Sequence, residues 1–230
     1  MKYYAIDNDG EETYTREGTG RYDINMPNNQ GDLDWDYLPN YEPVFSHLLI
    51  PPVEENGYTE VVEDGGAIGG IGIIMTQRLK EIFQEFNLGE GVHRFYPLIS
   101  ADCETLEVLP DIHYHYLQVV DLQANYPAIN FEKSTFFVKD RFKPDKTYVA
   151  ISNTEQLNAT YYEYADFVLS FEKLVLNETF KAMDLDMFYF SKLKPKTFTY
   201  IIISQRLLDG LRREGLLKWF KYKEVPIFVE

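Results

Sequence analysis

Two stretches of the chain carry the same order of apolar and polar positions. In residues 197–215, TFTYIIISQRLLDGLRREG, an apolar run ends at Ser204 and gives way to Leu207, Leu208 and Leu211 before Gly215. This pattern predicts a strand, a serine N-cap and a short amphipathic helix stopped by glycine. Residues 71–86, IGIIMTQRLKEIFQEF, repeat it, with Thr76 in the capping place and Leu79, Ile82, Phe83 and Phe86 along one helical face. Asn87 and Gly89 follow as stop signals. Ile73–Leu79 aligned with Ile201–Leu207 gives five identities and two conservative pairs in seven positions. The pairs Arg78/Glu81 and Arg206/Asp209 are spaced for ion pairs within each helix. Gly210 costs its helix about 1 kcal/mol relative to Ala, so packing must hold that helix together.

Elsewhere the apolar runs are short. Strands are expected at 2–6, 94–100, 111–122, within 130–142, at 147–152, at 187–193 and across the tail WFKYKEVPIFVE. A paired-proline stop at Pro51 and Pro52 and an Asn56-Gly57 turn predict a hairpin over 47–66. Residues 157–176 predict a helix to about Asp166 and a strand after it. Residues 7–31 are turn-rich, and 32–45 mix aromatic residues with acids and two prolines. Many short strands with two or three helices imply an α+β fold of mixed, mainly antiparallel sheets containing the repeated strand–cap–helix unit of 71–86 and 199–214. The alternation is too irregular for a doubly wound sheet. The expected organisation is an acidic, irregular part at 1–70 and an α+β domain at 71–230, together one continuous globular unit.

Composition adds a charge asymmetry. Of the net charge of −15, residues 1–69 carry 15 acidic and only 3 basic side chains, whereas the other 161 residues hold 22 and 19. Nucleic acid and anionic membranes are poor partners for such a chain, and a basic protein is a suitable one. The 18 Tyr and 16 Phe favour strands and half-buried contact surfaces. The single cysteine, Cys103, excludes an intrachain disulfide framework. The start MKYYAIDNDGEE lacks the regions of a signal peptide, and no apolar run approaches the roughly 18 residues that span a bilayer. A soluble, cytoplasmic protein is expected.

Candidate chemistry is sparse. GGAIGGIG at 65–72 lacks the third glycine of a dinucleotide fingerprint and the Gly-Lys-Ser/Thr of a phosphate loop, and reads as a turn leading into the first unit. DLDWD at 32–36 opens like a calcium loop, but Tyr37 and Pro43 stand where glycine and glutamate are required. His113 and His115 point to one face of a predicted strand, where two imidazoles could meet a metal or nearby acids. No third ligand stands at a diagnostic spacing, and the pair also suits an exposed sheet face beside Tyr114 and Tyr116. No motif for nucleophilic catalysis is present. No cofactor or metal is expected.

The segments IIMTQRLKEIF (73–83), FYPL (95–98), YHYLQVVD (114–121), INFEKS (129–134), EKLVLNE (172–178) and FTYIIISQRLLDGL (198–211) together resemble a family of bacterial polymorphic-toxin immunity proteins, the eleventh in their usual numbering. They run in the family's order over about 140 residues, while 7–70 match little and the tail has Leu217, Trp219 and Phe220 where a glycine–phenylalanine ending is expected. The resemblance implies a non-enzymatic protein that binds a cognate toxin domain and blocks it. It transfers no catalytic residue. The acidic, aromatic stretch then becomes the expected partner-binding segment, through Asp32, Asp34, Trp35, Asp36 and Tyr37. The alternatives are an enzyme using His113 or His115, and a general protein-binding scaffold.

Overall fold

The computed structural model describes residues 1–8, 33, 37–40, 48–50, 60–62, 71–102, 105, 107–140, 143, 145–164, 166–195 and 201–230. Its strands are β1 (Tyr3–Asn8), β2 (Leu48–Ile50), β3 (Val61–Val62), β4 (Ile71–Thr76), β5 (His93–Asp102), β6 (Val108–Val119), β7 (Thr135–Asp140), β8 (Lys146–Val149), β9 (Phe167–Leu176), β10 (Met187–Tyr189), β11 (Ile201–Ser204), β12 (Phe220–Val225) and β13 (Ile227–Val229). The α-helices are α1 (Gln77–Gln84), α2 (Thr154–Glu163), α3 (Glu178–Met183) and α4 (Gln205–Arg213). Three sheets form, in the orders β2-β5-β6-β4-β3, β10-β11-β1-β12 and β13-β9-β7-β8. Among the described residues only β2–β5 and β13–β9 are parallel pairs, so the fold is α+β and mainly antiparallel.

The repeat detected in the sequence is larger in space. Both capping hydroxyls act as predicted: Thr76 accepts from the Leu79 N–H at 3.3 Å and Ser204 from the Leu207 N–H at 3.2 Å. Strand β4 pairs with β6 so that Ile73, Ile74, Met75 and Thr76 face Leu117, Tyr116, His115 and Tyr114. Strand β11 pairs with β1 in the same register, Ile201 to Ser204 facing Ile6, Ala5, Tyr4 and Tyr3. The outer neighbours match too: β5 sets Phe95–Leu98 against Leu117–Tyr114, and β12 sets Tyr222–Val225 against Ile6–Tyr3. On the other side, Val61 faces Met75 as Met187 faces Ile203. Each unit is thus four antiparallel strands and a helix. In the first unit one stretch of chain supplies them all; in the second the strand equivalent to β6 is β1, from the other end of the sequence.

The two units share one core. Met75, Leu79, Phe83 and Leu117 of the first join Ile203, Leu207, Leu211 and Ile6 of the second in a single buried cluster. Each such side chain contributes about 1.5–3 kcal/mol by leaving water. The far face of the second sheet packs on the β13-β9-β7-β8 sheet through a run of edge-on rings, Tyr3–Phe188 at 5.4 Å and Phe180–Phe188 at 4.9 Å. The far face of the first sheet carries a smaller cluster of Val62, Ile74, Tyr96, Leu98, Tyr114 and Tyr116, completed by Leu33.

A carboxylate stands beside each cap. Glu60 and Asp186 immediately precede β3 and β10, opposite Thr76 and Ser204. Their carbonyls accept from Thr76 N–H at 3.0 Å and Ser204 N–H at 2.8 Å, and their carboxylates accept from the two hydroxyls. Arg78 reaches Glu60 at 3.2 Å, and Arg206 reaches Asp186 at 2.8 Å and Asp184 at 2.9 Å. Asp186 is buried and also accepts from the Asn87 N–H at 3.1 Å, so it ties the end of α1 to the start of α4.

Three expectations are corrected. β2 and β3 do not form a hairpin; they lie at opposite edges of one sheet, because each finds a longer neighbour in β5 or β4. The tail is two strands in two sheets, since Pro226 lacks the N–H needed to continue β12 as one ladder. The within-helix pairs Arg78/Glu81 and Arg206/Asp209 are replaced by longer-range ones. Glu81 and Asp209 instead accept from Gln77 and Gln205, one turn earlier, at 2.6 and 3.0 Å. Of 65–72, only Ile71 and Gly72 are described, and Gly72 lies within β4, where a Cβ would come 2.3 Å from the Tyr116 ring.

Gly210 has a packing reason, because a Cβ there would lie 2.5 Å from Cζ of Phe86. Gly210→Ala is therefore expected to destabilise the protein by about 1 kcal/mol in urea unfolding, overpacking outweighing helix propensity. In a Phe86→Ala background the same change is expected to stabilise; a destabilisation of equal size in both backgrounds would remove the steric explanation. Asp186→Ala, which leaves Arg206 and Ser204 without their shared acceptor, is expected to cost about 3 kcal/mol. The corresponding surface change Asp184→Ala should cost clearly less in the same assay.

Candidate functional site

A concavity of about 510 Å³ lies where β6 runs past the start of α1. Its walls are Thr76, Gln77 and Arg78 from the first turn of α1 and Leu109, Pro110, Asp111, Ile112, His113 and Tyr114 from β6. The cause is a register shift. Ile99 faces His113, but two residues further along β5, Ala101 faces Val108, five residues away on β6. The surplus residues arch outward, and Pro110 cannot donate a hydrogen bond to either neighbouring strand. Leu109 and Ile112 half-bury themselves against the cluster that contains Leu33.

The rim is apolar and acidic. Ile99 and Val108 are each 51% exposed at the open end of the β5–β6 pair, with Glu107 and Asp111 exposed beside them. In the second unit the same helix start is closed. The Gln205 N–H donates to the Lys2 carbonyl at 2.9 Å, and the Arg206 guanidinium folds onto Asp184 and Asp186. Arg78 instead lies along the cleft wall, held by Glu60 and by the Glu214 carbonyl at 3.2 Å.

The two histidines separate. His113 is exposed on the cleft, whereas His115 is buried with Tyr114 and Tyr116, so the exposed sheet face expected for this group is not found. His115 Nε2 lies 2.5 Å from Oε1 of Gln77, whose amide is oriented by its own donation to Glu81. The acceptor oxygen faces the ring, which places the imidazole proton on Nε2. Nδ1 is buried and finds no hydrogen-bond partner. Burial first, then the charges of Lys80 and His113, lower its pKa to about 4. In the second unit Tyr4 occupies the place of His115, its hydroxyl donating to Gln205 Oε1 at 2.5 Å. His115 therefore braces the helix start from inside. No group of three or more His, Cys, Asp or Glu among the described residues is arranged to hold a metal ion.

A second polar cluster is internal. The buried Asp121 carboxylate accepts from Tyr126 at 3.0 Å and from Ser191, and burial raises the Tyr126 pKa above the ordinary phenol value. It fastens the 3-10 turn at 123–128 to the chain after β10 and is closed to solvent.

Of the predicted partner-binding residues, Asp32, Asp34, Trp35 and Asp36 lie outside the described residues. Tyr37 is 65% exposed, and the Arg94 guanidinium donates to the Pro39 carbonyl at 3.1 Å. Leu33 is 1% exposed within the cluster that backs the cleft. Sequence reasoning missed the cleft itself; the one legible signal was Pro110 just before a predicted strand. No helix among the described residues is long and apolar enough to cross a membrane. No protein-family model, curated protein or solved structure matches this chain.

A neutral buried His115 must take up a proton on unfolding below its ordinary pKa of 6.5. Its folded pKa is depressed, so stability is expected to fall as pH drops from about 6.5 towards 4, by up to about 1.4 kcal/mol per unit. His115→Gln should flatten that part of the profile in urea titrations between pH 7 and 5. An unchanged slope in the variant would assign the acid sensitivity to other groups.

Proposed function

We propose that this chain is an immunity protein, which binds a cognate bacterial toxin domain and neutralises it by protein–protein contact. The observation that carries the reading is the acidic excess of residues 1–69, within which Leu33 is buried against the outer face of the first sheet, Tyr37 is exposed and the Pro39 carbonyl accepts from Arg94. The net of −12 over residues 1–69 attracts a basic partner before contact. The resemblance of the strand–cap–helix segments to an immunity family supports the same reading. In that resemblance the duplicated units are scaffold, and the toxin domain is recognised by surface side chains.

The decisive test is to identify the gene immediately upstream, which is expected to encode a large secreted protein, and to co-express the C-terminal domain of that protein with this chain. The expected result is that the two co-purify and that cells survive only when this chain is present; survival without it, or no complex, would overturn the reading. A triple change of Asp32, Asp34 and Asp36 to Lys is expected to slow association about tenfold or more at low salt. The difference should shrink as ionic strength rises to about 1 M, where screening falls to about 3 Å. Equal association rates at low salt would remove these aspartates from the interface and leave the immunity role in place.

A further inference from the structure

We infer that the cleft between the β6 arch and the first turn of α1, with the apolar and acidic rim of the β5–β6 pair, is the docking surface for a basic protein partner. This rests on the immunity reading and names its site. The cap, the acid beside it, the helix-facing glutamine and the arginine recur in both units and belong to the shared frame. The cleft lies beside that frame, where the β5–β6 register shifts at 108–113. Bulges of this kind commonly re-aim side chains beside binding sites.

The chemistry of the surface selects the partner. Ile99 and Val108 stand half-exposed next to a cleft partly walled by Leu109 and Ile112, which suits an aliphatic or aromatic anchor side chain. Residues 99–111 contain Asp102, Glu104, Glu107 and Asp111 and no basic residue. Leu33 packs in the cluster that backs the cleft. A basic surface carrying one apolar knob matches both properties. A second copy of this chain, with its net charge of −15, does not.

The experiment uses the full chain and the upstream-encoded toxin domain as the probe. Val108 and Asp111 are exposed, so the double variant V108K/D111K should keep the wild-type circular dichroism and unfolding midpoint. Its complex is expected to dissociate at least a hundredfold more readily by calorimetry, while the control K221E/K223E, on exposed strand β12 of the second unit, stays within threefold of wild type. Hydrogen exchange on the wild-type complex should show protection at 99–114 and at 76–78. Wild-type affinity in V108K/D111K with no protection at 99–114 would overturn this site and leave the immunity reading standing. Failure of the unmodified chain to bind the toxin domain would overturn both.

Discussion

The Asp186 carboxylate, buried between the end of α1 and the start of α4, governs how the two units of this protein meet. A desolvated carboxylate is costly unless donors surround it, and here Ser204, the Asn87 amide and Arg206 each supply one. Asn87 belongs to the stop of the first helix, whereas Ser204 and Arg206 open the second. The same group that satisfies a helix N-terminus therefore sets the distance between the units. Asp184 adds to this in the left-handed backbone region, at φ 47°, where its side chain can meet the Arg206 fork. Once that junction is made, the leucines of α4 and the Leu79, Ile82 and Phe83 face of α1 have only one shared core to enter.

Duplication explains both the economy of the fold and its asymmetry. Each unit places an acid, a hydroxyl cap, a glutamine and an arginine at one corner, and each fills the inner face of its sheet with aliphatic residues. The differences lie where folding leaves room for them. Tyr4 and His115 occupy the same position, both reaching a glutamine on the helix. Arg206 is spent on closing its corner, whereas Arg78 shares itself with the end of α4 and the neighbouring strand arches away. One corner is sealed and the other is open.

How much of this could be read beforehand depends on the range of the interaction. Capping by Thr76 and Ser204, the inward leucines and the stops at Gly89 and Gly215 involve residues within a turn or two of one another, so the sequence displays them directly. The charge asymmetry was equally plain. Spacing pairs Arg78 with Glu81 and Arg206 with Asp209, whereas the folded chain pairs them with Glu60 and Asp186, because sequence shows only the nearest opposite charge and not one delivered by an adjacent strand. His115 was read as exposed for a related reason: period-two alternation tells that it shares a face with His113, not that α1 covers one of them and leaves the other to solvent.

The chain by itself thus determined that it would form short strands, two capped amphipathic helices and an acidic first third, since propensity, capping and charge are local properties. Only the tertiary structure decided that β1 completes a sheet with the C-terminal strands and that β2 and β3 part to opposite edges. It alone decided that Pro226 passes the tail between sheets and that surplus residues on β6 open a cleft. Those outcomes depend on which strand edges and apolar faces meet after collapse, a competition among distant segments that no local pattern encodes.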